Sequence, residues 1–166
     1  MLFRSLVITG GSGQAVNVQG WVDVLATATV SGFAVFTYAP GGLTPGAPGF
    51  VTPWEGTVPL QTQLTPTTMV LPFDNTNGFN NGVAIGTLSN SAATITATFY
   101  DINGNALGTP RAIPLAANAH TSFMLYSYPF TVNKQGSVKF TGTTVMGLGL
   151  RASPYGTLTS VPTILQ

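Results

Sequence analysis

The sequence predicts an all-β protein in which antiparallel strands pack as a sandwich. Two observations predict this class. Apolar and polar residues alternate with a period of two in short segments rich in Val, Thr, Ile and Phe, which is typical of strands. Between these segments lie 20 glycines and 12 prolines, and many short strands separated by turn residues indicate a sandwich or a barrel.

The clearest predicted strand covers residues 93–101, where Ile95, Ala97 and Phe99 face one side and the threonines between them face the other. The Asn103-Gly104 dipeptide that follows predicts a hairpin turn. The other predicted strands are residues 6–9, 20–27, 30–38, 57–60, 68–72, 82–88, 112–114, 120–125, 136–140, 145–151 and 158–161.

An internal repeat covers only part of a unit. Residues 4–24 align without a gap on residues 120–140, and both segments contain the pattern Val-Asn-x-Gln-Gly. After the second copy drops one residue, residues 30–33 match residues 145–148. Further along the chain, residues 58–59 match residues 161–162. In the first copy residues 38–56 form a longer Pro/Gly-rich segment, which predicts a surface loop.

The repeat predicts two parts in the chain. Residues 65–166 form one complete unit, whose size is normal for an immunoglobulin-like sandwich, and residues 1–64 form the second half of a preceding unit. We therefore expect an immunoglobulin-like β-sandwich of about one and a half repeat units. Half a sandwich exposes an apolar face and open strand edges. The half unit then packs on the full unit, or strands of another molecule complete it, or the chain is a fragment.

Several stretches resemble modules at the C-terminal end of large secreted proteins of environmental bacteria. These stretches are LPFDNTNGFNNGVAIGTLSNSAATITATFYDINGNALGT, LAANAHTSFML, MGLGLR and LTSVP. The resemblance covers residues 65–166, and residues 1–64 as a partial copy. It implies an immunoglobulin-like β-sandwich, an exported protein and no established activity. Its motifs are turns and core strands, so it assigns no catalytic residue to this chain.

Composition excludes several functional classes. The net charge is +1 without a basic cluster, which argues against a nucleic-acid partner. No apolar stretch reaches the length of a membrane-spanning helix, and the absence of cysteine excludes disulfides and thiolate metal sites. Charged residues make up only 5% of the chain, and Thr, Asn and Gly carry the polarity instead. We interpret this composition as that of an extracellular or cell-surface protein.

The sequence does not predict an enzyme. His120 is the only histidine, no nucleophile-elbow pattern is present, and the four carboxylates are scattered singly. A catalytic triad needs a base beside a nucleophile and an orienting acid. We therefore expect no catalytic residue and no cofactor.

A calcium site is an alternative to a plain turn at Asp101, Asn103 and Asn105. The Asp-x-Asn-Gly-Asn pattern resembles the start of a calcium-binding loop, but the twelfth position is Ala112 rather than the glutamate that an EF-hand requires. The turn is the favoured interpretation, because Asp and Asn cap turns.

Carbohydrate binding is the alternative function, because exposed aromatic rings stack on sugar rings. The candidates are Trp54, Tyr126, Tyr128 and Tyr155. If residues 126–130 are extended, Tyr126, Tyr128 and Phe130 lie on one face. The same aromatic residues are equally suited to a core or an interface.

The favoured function is a non-enzymatic structural, adhesion or assembly module of a larger secreted or cell-surface protein. With few charges, the strand edges are poorly guarded against pairing. The expected partners are neighbouring β-sandwich modules or a second copy that associates by strand edges, and polysaccharide in the alternative.

Overall fold

The computed structural model describes residues 27, 30–38, 54–61 and 66–166. The predicted strand at residues 6–9, all but the last residue of the strand at 20–27, and most of the Pro/Gly-rich segment lie outside the described residues. Within the described residues every regular element is a strand, apart from two single 3-10 turns.

The strands follow one another along the chain and are numbered in that order. Their bounds are β1 Phe33–Tyr38, β2 Trp54–Pro59, β3 Thr68–Asp74, β4 Asn80–Gly86, β5 Ala93–Asp101, β6 Ala106–Leu115, β7 His120–Met124, β8 Gln135–Thr141, β9 Met146–Ala152, β10 Leu158–Val161 and β11 Ile164–Leu165. All pairings among them are antiparallel. The prediction of an all-β, antiparallel protein is confirmed.

Two sheets share one hydrophobic core. The five-stranded sheet has the order β11-β3-β8-β5-β6, and the four-stranded sheet has the order β10-β9-β4-β7. Side chains of both sheets meet in the core, among them Leu71 of β3, Ile85 of β4, Phe99 of β5 and Phe140 of β8. The strands β1 and β2 form a separate hairpin, and β2 lies beside β10.

The alternating pattern of β5 is confirmed in full. Ile95, Ala97 and Phe99 are buried to 1% exposure or less. The predicted hairpin after β5 is present, and its loop contains three residues rather than two, since the Asp101 N–H donates to Asn105 O at 2.9 Å. Gly104 has a φ of +83°, which is the left-handed conformation that closes such three-residue loops.

Residues 126–130 are not extended, so the condition under which Tyr126, Tyr128 and Phe130 would share one face is not met. Residues Leu125–Ser127 and Pro129–Thr131 form two successive 3-10 turns. The Thr131 hydroxyl, fully buried, donates to Leu125 O at 2.7 Å. Because Pro129 fixes its own φ and this bond closes the segment, the chain turns here instead of extending.

Other strands also differ from the predicted ones. The strand β6 spans Ala106–Leu115 rather than 112–114, β2 begins at Trp54 inside the predicted loop, and β11 was not predicted. In β6 the prolines lie on an edge strand, where a missing N–H costs no ladder bond. One residue of β5 faces three residues of β6 between Ala97 and Phe99, so a bulge interrupts the pairing.

The pattern Val-Asn-x-Gln-Gly at residues 132–136 starts β8. Asn133 has a φ of +56°, a conformation that Asn tolerates better than most residues. A Cβ on Gly136 would overlap with the carbonyl oxygen of Tyr100 on β5. The glycine therefore permits β5 and β8 to pair closely, and the motif specifies the fold.

Candidate functional site

Tyr128 lies in an aromatic cluster on the flank of the core. Its ring stacks on Phe130 at 5.8 Å between centroids and contacts Phe99 at 5.0 Å and Phe123 at 5.8 Å. Burial raises the pKa of the Tyr128 hydroxyl, and the charge of Arg111 offsets part of that rise. Neighbouring aromatic rings thus pack against the Tyr128 ring. A ring that stacks on a sugar would need a face open to solvent.

Tyr126 and Tyr155 are exposed, with 46% and 89% of their surface open to solvent. Tyr155 lies on the turn between β9 and β10, where Ser153 Oγ accepts hydrogen bonds from Tyr155 N at 3.2 Å and Thr157 N at 3.0 Å. Trp54 is the first residue of β2, opposite Tyr38. The structure places the four candidate aromatics on three different elements.

In the loop that begins at Asp101, hydrogen bonds within the turn engage both carboxylate oxygens of Asp101. Asp101 Oδ1 accepts hydrogen bonds from Asn103 N at 2.9 Å and Asn105 N at 2.8 Å, and Oδ2 accepts one from Asn105 Nδ2 at 3.1 Å. Hydrogen bonds from Asn105 and Asn103 lower the pKa of Asp101. The Asn105 amide directs its nitrogen, not its oxygen, at the carboxylate, which favours the turn over a calcium site.

No group of three or more His, Cys, Asp or Glu side chains lies in the described part of the chain in a position to hold a metal ion. His120 is exposed at the start of β7. No helix of the described residues has the length and apolarity of a membrane span.

Sequence reasoning did not anticipate the Arg151 site, which lies where β3 ends and the turn to β4 begins. The Arg151 guanidinium lies over the Phe79 ring, 3.7 Å from its centroid, and Nη2 donates to Asp74 Oδ2. Thr76 donates its hydroxyl to Asp74 Oδ1 at 2.6 Å and its N–H at 3.0 Å. These contacts connect β3, β9 and the turn between β3 and β4.

The Asp74 carboxylate makes stability depend on pH. Burial raises its pKa, but hydrogen bonds from Thr76 and Gln135 and the charge of Arg151 outweigh burial and lower it. The carboxylate therefore stabilises the fold above the unfolded-state pKa of about 4, and this stability is lost as the pH falls through the folded-state pKa.

We expect Asp74→Asn to lower the free energy of unfolding by about 1 kcal/mol at pH 7, since the paired side chains are partly exposed. Urea unfolding between pH 2 and 7 measures this. The variant should lose part of the pH dependence below pH 4. Asp101→Asn, which removes the other carboxylate with a lowered pKa, should also lose part of it, and the double variant should lose both parts. An unchanged slope in Asp74→Asn would contradict the assignment.

A groove of about 330 Å³ lies between the hairpin β1–β2 and the two sheets. Residues 57–61 form one wall, and residues 160–163 with Leu148 and Leu165 form the other. The internal repeat aligns residues 58–59 with residues 161–162, so the same Val-Pro pair lies on both walls.

Gln61 fixes the hairpin to β9. Its Oε1 accepts a hydrogen bond from Gly147 N at 3.1 Å, and its Nε2 donates to Gly147 O. Since β10 pairs with β9 only from Gly149 to Ala152, Gly147 lies beyond the end of β10. The Gln61 amide thus satisfies both backbone groups of this edge position, and the Thr163 hydroxyl also donates to Gly147 O at 3.3 Å.

The hairpins β1–β2 and β9–β10 pair in the same register. Ala34 lies opposite Val58 in the first, and Gly149 lies opposite Val161 in the second. The sequence repeat, extended by one residue, places Ala34 on Gly149 and Val58 on Val161. Residues that the sequence repeat aligns therefore form the corresponding cross-strand pairs in the two hairpins.

Equivalent apolar residues differ in burial between the two copies. Val30 is 43% exposed, whereas its counterpart Val145 is fully buried at 0%. Phe33 and Val35 are 67% and 53% exposed. The strand β9 is paired on both edges, by β4 and β10. Among the described residues, β1 is paired on one edge only.

No protein-family model matches the sequence, and a search of curated proteins gave no match. Among solved structures, FlgD from P. aeruginosa is similar at 18% sequence identity, over 63% of this chain and 77% of that chain, with a TM-score of 0.28. A likeness of this extent assigns neither a fold family nor a function.

Proposed function

We propose that this chain is a non-enzymatic structural, adhesion or assembly module of a larger extracellular or cell-surface protein. The observation that carries the proposal is the unequal burial of equivalent residues in the two hairpins. Apolar positions that the full unit covers, such as Val145, are exposed in the first copy, as at Val30. Exposed apolar residues at positions equivalent to buried ones indicate a surface that a partner covers.

The physical basis of association is burial of an apolar strand face combined with backbone pairing at a strand edge. A free edge offers unpaired N–H and C=O groups to another strand, and a strand added in trans completes the sheet. The partners proposed are neighbouring β-sandwich modules or a second copy of the chain.

We further infer that residues 66–166 are a variant of the immunoglobulin-like sandwich. With β3–β9 lettered A–G, the pair B–E is β4–β7 and the pair C–F is β5–β8. Both pairs are adjacent in the immunoglobulin order, which supports the inference. The flanking strands A, D and G lie in the opposite sheet from that order.

Molar mass in solution tests the proposal, by light scattering across a hundredfold dilution. We expect a mass that rises with concentration above that of the 17.2 kDa chain. A constant monomer at every concentration would contradict self-association. Addition of soluble polysaccharide to the same samples tests the alternative: a sugar-binding module would change mass or tryptophan fluorescence with polysaccharide alone, and an assembly module would not.

A further inference from the structure

We propose that the outer edge of β1 pairs antiparallel with β1 of a second copy of this chain, around a two-fold axis that passes beside Val35. The two hairpins would then form one four-stranded sheet. The inference rests on the proposed assembly function and names the surface and the partner that it uses.

The hydrogen-bond pattern of the hairpin defines which N–H and C=O groups of β1 point toward β2 and which point away from it. Gly32 lies opposite Leu60, and Leu60 N donates to Gly32 O at 2.9 Å. Because hydrogen-bonded and non-hydrogen-bonded pairs alternate along an antiparallel ladder, Ala34 and Phe36 bond to β2. Phe33, Val35 and Thr37 direct their N–H and C=O groups away from β2.

Pro59 agrees with this alternation. It lies opposite Phe33, at a non-hydrogen-bonded position where a missing N–H costs no bond to β1. The outer edge of β1 therefore presents three N–H and three C=O groups in regular spacing, one of each from Phe33, Val35 and Thr37.

The other edges of the described sheets are guarded or short. β6 carries Pro110, Arg111 and Pro114 and a bulge, which are the usual devices against edge pairing. β10 has four residues and β11 has two. β7 begins with the polar residues His-Thr-Ser, and β2, the other edge of the hairpin, carries Glu55 and Pro59.

β1 has none of these guards. Its sequence FAVFTY contains no charge, no proline and no glycine, which is the composition of segments that pair with copies of themselves. Its exposed Phe33 and Val35 side chains lie on one face, since they are two residues apart. The strand β1 thus combines an edge without these guards and an exposed apolar face.

A two-fold axis makes β1 self-complementary. An interface of this symmetry uses the same patch on both copies. With Val35 opposite Val35 of the second copy, Phe33 lies opposite Thr37 of the second copy, and all the outward N–H groups meet outward C=O groups. No register shift is needed to satisfy the ladder.

The test uses a proline and its matched control at one position. Val35→Pro removes an outward N–H but no hydrogen bond to β2, whereas Val35→Thr keeps the N–H and the β-branched shape. We expect Val35→Pro to raise the dimer dissociation constant at least about tenfold and Val35→Thr to leave it within about twofold, measured by light scattering.

A cysteine variant keeps the inference testable if the proline disturbs the hairpin. The chain has no cysteine, and directly opposite hydrogen-bonded residues lie about 5.5 Å apart, within disulfide range. Under mild oxidation with diamide, Val35→Cys should form a disulfide-linked dimer quickly, and Ser122→Cys on the edge of β7 should form it only slowly.

The outcomes separate the two proposals. If wild type and all variants are monomers, the proposed self-association fails. If wild type dimerises while Val35→Pro dimerises equally and Val35→Cys crosslinks no faster than Ser122→Cys, the assembly stands and the β1 edge is overturned as its site.

Discussion

Phe99→Ala should lower the free energy of unfolding by about 3–5 kcal/mol. The Phe99 side chain is 1% exposed and contacts the rings of Tyr128 at 5.0 Å and Phe130 at 5.1 Å. Its removal leaves a cavity between β5 and the two 3-10 turns, because Pro129 and the buried Thr131 hydrogen bonds hold those turns in place. Urea unfolding of wild type and variant measures the difference.

Tyr126→Ala is the matched control for Phe99→Ala. It deletes an aromatic ring from the same region, but 46% of Tyr126 is exposed, so we expect a change within about 0.5 kcal/mol. Equal losses of stability in the two variants would contradict the claim that burial of the Phe99 ring in the aromatic cluster stabilises the fold.

Gly136→Ala should destabilise the fold by about 2–3 kcal/mol. The added methyl group would overlap with the carbonyl oxygen of Tyr100 and lie 3.1 Å from the Cα of Asp101. Since both contacts are backbone of β5, no side chain can move aside, and β5 and β8 must separate locally. Urea unfolding and amide exchange of the β5 and β8 amides measure the loss.

Gly104→Ala separates steric overlap from backbone conformation. Gly104 has a φ of +83°, but nothing lies within 4 Å of the position that its Cβ would take. The cost should be only the left-handed conformation, about 1 kcal/mol. A loss for Gly136→Ala no larger than that for Gly104→Ala would contradict the assigned close approach of β5 and β8.

Strands with strict alternation could be predicted from the sequence, because their pattern reports the buried face directly. The strand at 93–101, in which apolar and polar residues alternate, has the predicted bounds. β6 could not be delimited, because Gly108 and its prolines are typical of loops, and an edge position made them acceptable. Gly108 also lies against the Phe130 ring, 2.5 Å from the place of its Cβ, a contact between segments that local sequence does not encode.

The candidate site was less accessible to prediction than the fold. The alternation at Tyr126, Tyr128 and Phe130 suggested one exposed face, but a buried hydrogen bond from Thr131 turned the segment and packed two of the rings against Phe99. Gln61 gave no signal, because its bonds to Gly147 join residues far apart in the chain. The repeat did align Val30 with Val145, and the structure shows that the first is 43% exposed and the second fully buried.

Amide exchange of the β1 residues as a function of protein concentration tests the pairing of this edge directly. Ala34 and Phe36 bond to β2, so their amides should be protected at every concentration. The amides of Phe33, Val35 and Thr37 point away from β2, and we expect their exchange to slow as the concentration rises and the second copy pairs with them. Exchange of these three amides at one constant rate, in samples whose mass increases with concentration, would contradict pairing at β1.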